Sequence, residues 1–150
     1  MTKQFAPEYS LNENGLSELD RAYLAGVIDA DGCIGIYRNG TGTKLILQIS
    51  SSSTKLMNWL VARLGKNIIT YQPQNPKRQL VRNWIIRGSE AKAVLAQVSP
   101  YLIIKRKQAK LAIEYPIYGK GQRSNPTMTV IRDSIIDEMK VLNNSSEVEY

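Results

Sequence analysis

The chain has 150 residues, a length that suits one domain spanning 1–150 with a sizeable core. Apolar residues make up 43% of it, a globular rather than a disordered composition. It contains no histidine, which excludes a His-based catalytic triad and the common zinc sites, and its one cysteine, Cys33, excludes an intrachain disulfide. The apolar runs are too short to cross a bilayer and the N-terminus has no signal-peptide core, so we expect an intracellular protein, cytoplasmic or within an organelle.

Positive charge is concentrated in the middle of the chain. The net charge is +7, and residues 33–110 hold fourteen basic side chains against one acidic side chain, Glu90. Residues 1–32 hold two basic and six acidic side chains, and residues 111–150 hold four and six. A solvated surface with a lysine bias is one interpretation. The concentration in one stretch favours a surface that binds a polyanion such as nucleic acid.

The first predicted element is a helix. Residues 1–16 are polar and are expected to form an irregular arm. Ser17 is a suitable N-cap, with Asp20 as an acidic residue of the first turn. The helix is predicted over 18–30, and Gly32 ends it.

A β-hairpin follows this helix. Residues 33–39 and 44–50 alternate apolar and polar side chains around a Gly-Thr-Gly turn, which indicates two strands with one apolar face. The remaining predicted elements are helix 54–64, strand 68–72, strand 79–87, helix 89–98, helix 101–114 and helix 127–142. Residues 143–150 are expected to fray. The order α-β-β-α-β-β-α indicates an α+β protein, in which helices cover one face of an antiparallel sheet and the other face suits a ligand such as duplex nucleic acid.

The segment from Leu24 to Gly32 reads Leu-Ala-Gly-Val-Ile-Asp-Ala-Asp-Gly and predicts an apolar helix that ends on two carboxylates, Asp29 and Asp31. The dipole and the free carbonyls disfavour negative charge at this end of a helix. A divalent cation would remove the conflict, and without histidine it would be a hard, oxygen-bound ion such as Mg²⁺, Mn²⁺ or Ca²⁺. A buried helix that ends in a turn is the alternative. It accounts for the small residues but not for two carboxylates without a cation.

The same segment resembles the signature of the LAGLIDADG homing endonucleases at eight of nine positions, with Val27 in place of a leucine. The resemblance implies the fold of that family, an antiparallel β-sheet saddle with helices on one face. Residues 133–137 lack the glycines of a second motif, and a single motif implies a homodimer. In the family, the motif helix packs against its counterpart across a two-fold axis. The interface residues expected from this packing are Leu24, Ala25, Gly26, Ile28 and Asp29.

The resemblance also implies which residues form the site. The second aspartate of the motif, Asp31, is expected to bind metal near the scissile phosphates, with the carbonyl of Ala30 as a second ligand. Asp29 is expected to be structural. Residues 100–111 resemble a family segment in which a lysine shortly after a proline reaches the active site. This match gives that role to Lys105.

Ser51 and Lys55, at the start of the second helix, correspond to polar or basic positions that organise water around the metals in the family. Ser51 is shorter than the amide often found there. The implied reaction is hydrolysis of both DNA strands by metal-bound hydroxide, with Lys105 stabilising negative charge or orienting water. Mg²⁺ is the implied cofactor, with Mn²⁺ expected to substitute and Ca²⁺ to bind without supporting cleavage. One carboxylate per chain is too few, so two copies of Asp31 are expected to meet at the dimer axis.

A homodimer implies a long pseudo-palindromic DNA target. In the family the outward side chains of the strands lie along the major groove, where Asn and Gln suit adenine and Arg and Lys suit guanine. The predicted DNA-binding residues are Tyr37, Asn39, Lys44, Gln48, Thr70, Gln72, Gln74, Lys77, Arg78 and Arg82.

Two alternatives to a nuclease stay open at this point. A non-cleaving RNA maturase or DNA-binding regulator would share the fold. The intact Asp31 favours the enzyme, because family members that lose cleavage commonly alter this aspartate. A basic ribosome- or RNA-associated protein would account for the charge but would leave the nine-residue motif unexplained.

Overall fold

The structure, a computed structural model, describes most of the chain. None of the helices in this part is long and apolar enough to cross a membrane. Only the backbone is described at 39 and 68–71. The described ranges are 16–39, 42–65, 68–71, 75, 77–78, 80–117 and 125–144.

Five α-helices and four strands make up the described part of the chain, with a short 3-10 helix at Ser99–Tyr101. Their order agrees with the sequence prediction. The elements are α1 (Glu18–Asp31), β1 (Gly32–Asn39), β2 (Gly42–Ser51), α2 (Thr54–Leu64), β3 (Ile68–Tyr71), β4 (Val81–Arg87), α3 (Gly88–Val98), α4 (Arg106–Glu114) and α5 (Pro126–Asn144).

The strands form one antiparallel sheet in the order β1-β2-β4-β3. Burial alternates along β2: Leu45, Leu47 and Ile49 are buried, and the residues between them are exposed or half-buried. In β4 the buried residues are Trp84 and Ile86, which pair with Ile49 and Leu47. The helices cover this apolar face, while the opposite face stays open. The predicted α+β class, with helices on one face of an antiparallel sheet, is confirmed.

α1 begins with the N-cap predicted from the sequence. The Ser17 hydroxyl accepts a hydrogen bond from the Asp20 N–H (3.1 Å), and the Asp20 carboxylate accepts one from the Ser17 N–H (3.3 Å). This capping box satisfies two donors at the start of the helix. Asp20 also forms an ion pair with Arg63 of α2 (3.3 Å), which ties the start of α1 to the neighbouring helix.

α1 runs directly into β1, and Gly32 makes this junction possible. A Cβ atom at Gly32 would lie 2.8 Å from the Ile28 Cα and 2.8 Å from its carbonyl oxygen. The Gly32 N–H donates to that carbonyl and closes the last turn. Asp31, the last residue of α1, is therefore held between a helix and a strand with no loop between them.

The carboxylate of Asp29 joins α1 to the segment before α4. It accepts hydrogen bonds from the N–H groups of Ile103 (2.8 Å), Ile104 (3.1 Å) and Lys105 (3.0 Å). The prediction of a helix over 101–114 is wrong at its start, since α4 begins at Arg106. The three N–H groups that donate to the Asp29 carboxylate lie in the bends just before α4. These hydrogen bonds agree with the structural role predicted for Asp29.

We predict that Asp29→Asn lowers the free energy of unfolding by about 1.5 to 3 kcal/mol, because the hydrogen bonds lose their charged acceptor. Urea denaturation followed by circular dichroism measures the change. Asp137→Asn is the matched control, since Asp137 is exposed on α5 and the same charge is removed there. Equal losses in the two variants would contradict the role assigned to Asp29.

Candidate functional site

Lys105 lies at the C-terminal end of α1. Its Nζ donates to the carbonyls of Ile28 (3.1 Å) and Asp29 (2.8 Å). A cation at this end is stabilised by the helix dipole and by the last carbonyls of the helix, of which that of Ile28 also accepts the Gly32 N–H. The sequence analysis expected a divalent cation to offset the negative charge at the end of α1. The Lys105 ammonium group offsets part of that charge. The segment that carries Lys105 does reach the end of the motif helix, as the resemblance implied.

Ala30 and Asp31 are both exposed at this end of α1. No group of three or more Cys, Asp or Glu residues that could hold a metal ion occurs within the described ranges. Among the described residues, this end of α1 offers the exposed carboxylate of Asp31 beside the backbone carbonyl of Ala30. That donor set fits Mg²⁺, which commonly takes one or two carboxylates and completes its shell with water and substrate phosphates.

Ser51 and Lys55 lie at the same end of the sheet as Asp31. The register pairs Gly32 with Ile49, so the end of β2 comes next to the start of β1. The Ser51 hydroxyl accepts from the Ser53 N–H (3.0 Å), and Lys55 is exposed in the first turn of α2. In the described part of the chain, neither side chain is hydrogen-bonded to Asp31. Their predicted catalytic roles stay predictions.

Arg82 does not lie on the outer sheet face, and its prediction as a base-reading residue is wrong. The alternation of β4 puts Arg82 on the same side as Trp84 and Ile86, which are buried under the helices. Its guanidinium donates to the Ser52 carbonyl (3.3 Å). Arg82 therefore lies beside the connection from β2 to α2, at the end of the sheet where Asp31 is found.

Tyr37, Lys44 and Gln48 lie on the outer face, where the sequence pattern placed them. Tyr37 and Lys44 are exposed and pair across β1 and β2. The Tyr37 ring lies over Gly35, because a Cβ there would be 2.6 Å from the Tyr37 hydroxyl oxygen. That oxygen is 3.7 Å from the Cys33 Sγ, and this contact, together with burial, raises the pKa of Tyr37. Contact of these side chains with DNA stays a prediction.

The loop after β3 is described only in part. Asn75 accepts from the Lys77 N–H through its side chain (3.0 Å) and from the Arg78 N–H through its carbonyl (3.0 Å), and both basic side chains are exposed. The other predicted contacts lie outside the described residues: the side chains of Asn39 and Thr70, and the whole of Gln72 and Gln74.

The predicted DNA-binding residues left out several outer-face residues: Ile46 and Ser50 of β2, and Asn83, Ile85 and Arg87 of β4. Ser50 pairs with Asn83, Gln48 with Ile85, and Ile46 with Arg87. Both alternating sets of β4 contain apolar residues, so the pattern alone left its inward face open. Trp84 could have identified the inward face of β4, because it is the largest side chain of the strand and is fully buried.

The predicted interface residues on α1 need correction. Leu24, Ala25 and Ile28 have 0% of their surface exposed because they pack in the core of their own chain, so they have no surface for a partner. Asp29 is bound to the segment before α4. Gly26 alone among the five is exposed, and an added Cβ would meet nothing within 4 Å. The exposed face of α1 consists of Leu19, Ala22, Tyr23, Gly26 and Ala30.

Solved structures of similar fold include homing endonucleases. Two are complexes of the homing endonuclease I-CvuI. The first, with its own target in 2 mM Ca, is 22% identical with a TM-score of 0.68, over 89% of this chain and 87% of that chain. The second holds the I-CreI target in 2 mM Mg with the DNA not cleaved; it is 21% identical with a TM-score of 0.68, over 88% and 87%.

A third similar structure is the LAGLIDADG meganuclease I-AabMI bound to uncleaved DNA. It is 18% identical with a TM-score of 0.57, over 77% of this chain and 43% of that one. At these identities the likeness shows the fold. No curated protein sequence matches the chain.

The family model described as a LAGLIDADG-like domain matches residues 18–110. The match begins at the first residue of α1 and ends within α4, so it contains the motif helix, the whole sheet and Lys105. It covers more than half of the chain and agrees with the fold. The chain therefore belongs to the LAGLIDADG-like domain family.

Proposed function

We propose that this protein is a homing endonuclease, which cuts both strands of DNA at a long pseudo-palindromic target and acts as a homodimer. The observation that carries the proposal is the end of α1, where the exposed Asp31 follows carbonyls that are held by Lys105. This arrangement puts the proposed metal-binding carboxylate and a cation held by hydrogen bonds at the same end of α1, within the part of the chain that matches the LAGLIDADG-like domain.

Asp31 and the carbonyl of Ala30 are the groups that would hold the divalent ion, which we propose to be Mg²⁺. When bound, such an ion lowers the pKa of water and offsets charge on the phosphoryl oxygens. Lys105 contributes a second positive charge whose position is set by two hydrogen bonds to the helix end. A preorganised cation of this kind stabilises the negative charge that develops on the cleaved phosphate. The similar I-CvuI structures were crystallised with Ca or Mg, which supports a hard divalent ion here.

We propose a homodimer because each chain supplies one proposed metal-binding carboxylate, Asp31, which is too few for a nuclease site. The exposed face of α1 suits close contact with another helix. Leu19 is 82% exposed and Tyr23 is 54% exposed, although both are large and apolar. A glycine inside a helix is unfavourable by about 1 kcal/mol relative to alanine, and nothing in its own chain requires one at Gly26. A second copy of α1 packed against Gly26 gives a reason for it.

The outer face of the sheet is the proposed DNA-binding surface. It is open and carries polar and basic side chains, including Lys44 and Arg87, with Lys77 and Arg78 exposed in the loop after β3. Those charges belong to the strongly basic segment 33–110 and favour binding of a polyanion. The similar I-CvuI and I-AabMI structures are complexes with their target or with DNA, which supports duplex DNA as that polyanion.

We predict that Asp31→Asn lowers the rate of Mg²⁺-dependent double-strand cleavage at least about 100-fold, because the metal loses its anionic ligand. The substrate is a plasmid carrying the sequence that the wild-type protein selects from random duplexes. Cleavage is followed on agarose gels with Mg²⁺ and with EDTA. The dissociation constant for the same DNA is expected to stay within about threefold, because the outer face is unchanged.

Asp137→Asn serves as the charge-matched control and is expected to cleave at the wild-type rate. Wild-type protein that binds its selected site tightly and never cuts it would overturn the nuclease proposal. That result would favour a non-cleaving regulator on the same fold. Cleavage that persists in EDTA would overturn the metal proposal.

We predict that Lys105→Met lowers the cleavage rate about 100-fold, in the range found when one charge-stabilising donor is removed from an active site. It should also lower the free energy of unfolding, because the carbonyls at the end of α1 lose a charged donor. Lys107→Met removes an exposed charge two residues away and is expected to change neither quantity much. Loss of stability without slower cleavage, measured where both variants are fully folded, would restrict Lys105 to a structural role.

We predict that Gly26→Ala weakens dimerisation about tenfold, because the added methyl group overfills a tight helix contact. In the monomer the same change should raise the free energy of unfolding by up to about 1 kcal/mol, since alanine favours helix more than glycine. Analytical ultracentrifugation over a range of concentrations measures the first quantity. Ser134→Ala, at an exposed position of α5, is the control, because it also introduces a better helix former but lies away from α1. An unchanged dimer constant in Gly26→Ala would remove α1 from the interface.

A further inference from the structure

Three polar side chains form a hydrogen-bonded chain in the centre of the outer sheet face. Gln48 Nε2 donates to the Ser50 hydroxyl (3.1 Å) and lies 3.5 Å from Asn83 Oδ1. The Ser50 hydroxyl donates to the same Asn83 oxygen (2.5 Å). The three residues are neighbours by register, since Ser50 pairs with Asn83 and Gln48 is the next outer-face residue of β2. All three are half-buried, so the contacts between them restrict their rotamers.

The direction of this chain decides which polar groups are left for a ligand. An amide side chain has one acceptor oxygen and one NH₂ donor group. The contacts with Ser50 and between the two amides use the donor end of Gln48 and the acceptor end of Asn83. Within the described residues, neither the Oε1 acceptor of Gln48 nor the Nδ2 donor of Asn83 takes part in a hydrogen bond of this chain, so these groups are left to face a ligand. Two flexible side chains are thus organised into one acceptor beside one donor.

Among the four bases, adenine alone presents both a donor and an acceptor on its major-groove edge, N6–H and N7. Guanine presents two acceptors there, so its O6 would meet the Gln48 oxygen without a proton between them. Cytosine presents a donor only, and thymine an acceptor and a methyl group. A fixed acceptor–donor pair therefore matches a single adenine.

The apolar neighbours of this chain suit the base opposite adenine. Ile85 pairs directly with Gln48, and Ile46 is the preceding outer-face residue of β2. Both are half-buried on a face that the core does not use. Apolar side chains in the major groove favour the methyl group of thymine. The combination of an amide pair with isoleucine beside it is thus suited to an A·T base pair.

We propose that Gln48 and Asn83, positioned by Ser50, read one adenine in each half-site of the DNA target, with Ile85 against the methyl group of the paired thymine. This inference rests on the proposed DNA-binding function and adds to it a base and the residues that select it. In a homodimer on a pseudo-palindromic target, the adenine occurs twice at symmetric positions.

The test is selection of bound duplexes from a random library by the wild-type protein, followed by binding measurements on single-base variants of the selected site. We expect one adenine per half-site whose preference over guanine falls about 5- to 150-fold in Gln48→Ala and in Asn83→Ala, the range that one bidentate base contact gives. Preferences at the other positions should stay unchanged. Asn58→Ala and Gln97→Ala remove the same side-chain types from α2 and α3, which belong to the helical layer, and should leave the whole base profile intact.

Ser50 is tested as a positioning residue. Ser50→Ala removes the hydroxyl that joins the two amides and is expected to reduce the adenine preference at the same position. Ser50→Thr keeps a hydroxyl and is expected to restore most of the preference, which a merely structural role would not require. Thermal unfolding followed by circular dichroism confirms that all variants are folded when they are compared.

Two outcomes would overturn the inference, and they are distinguishable. A wild-type protein that enriches no sequence overturns the proposed DNA-binding function together with this inference. A wild-type protein that enriches a site, while Gln48→Ala and Asn83→Ala keep its full base profile, overturns this inference alone. Loss of a guanine or cytosine preference in these variants would also overturn it, because the acceptor–donor match would then be wrong.

Discussion

The site depends on a reciprocal exchange of hydrogen bonds between the end of α1 and the segment before α4. The Asp29 carboxylate accepts three backbone N–H groups from that segment, and the Lys105 ammonium donates two hydrogen bonds back to the carbonyls of α1. Each side supplies the charge that the other lacks: the N–H groups gain an anion and the helix end gains a cation. Asp31 follows directly on this hydrogen-bonded end of α1.

Local sequence signals were sufficient for most of the fold, and they failed where long-range contacts decide. The capping box at Ser17 and the alternation in β2 depend on near neighbours, so both could be predicted. The start of α4 could not, because the acceptor for the N–H groups before it is Asp29, more than seventy residues earlier in the chain. In β4, alternation alone gave two equivalent faces, and only packing of Trp84 against the helices distinguishes them.

For the site residues too, local sequence signals were sufficient in some cases and failed in others. The nine-residue motif predicted a metal-binding role for Asp31, which stays a proposal, and a structural role for Asp29, which agrees with its hydrogen bonds. It was not enough to tell which side of α1 is exposed, because apolar residues occur all round this helix. Leu24 and Ile28 are buried in the chain, whereas Leu19 and Tyr23 are on the surface. The same local ambiguity explains why the sequence pattern predicted Arg82 as an outer-face residue. In the structure its neighbour Asn83 lies on that face.

Inward and outward side chains alternate along the strands, and this alternation affects how the protein can evolve. Side chains that hold the core and side chains that face outward occupy different positions in the same strands, so substitutions among the outward ones leave the apolar packing intact. If the outer face binds DNA as proposed, its side chains can change without a penalty in folding. Tyr37 is the exception, since its ring rests on Gly35 and the two positions must vary together. In the proposed endonuclease, the end of α1 would therefore stay constant while the outer face of the sheet diversifies.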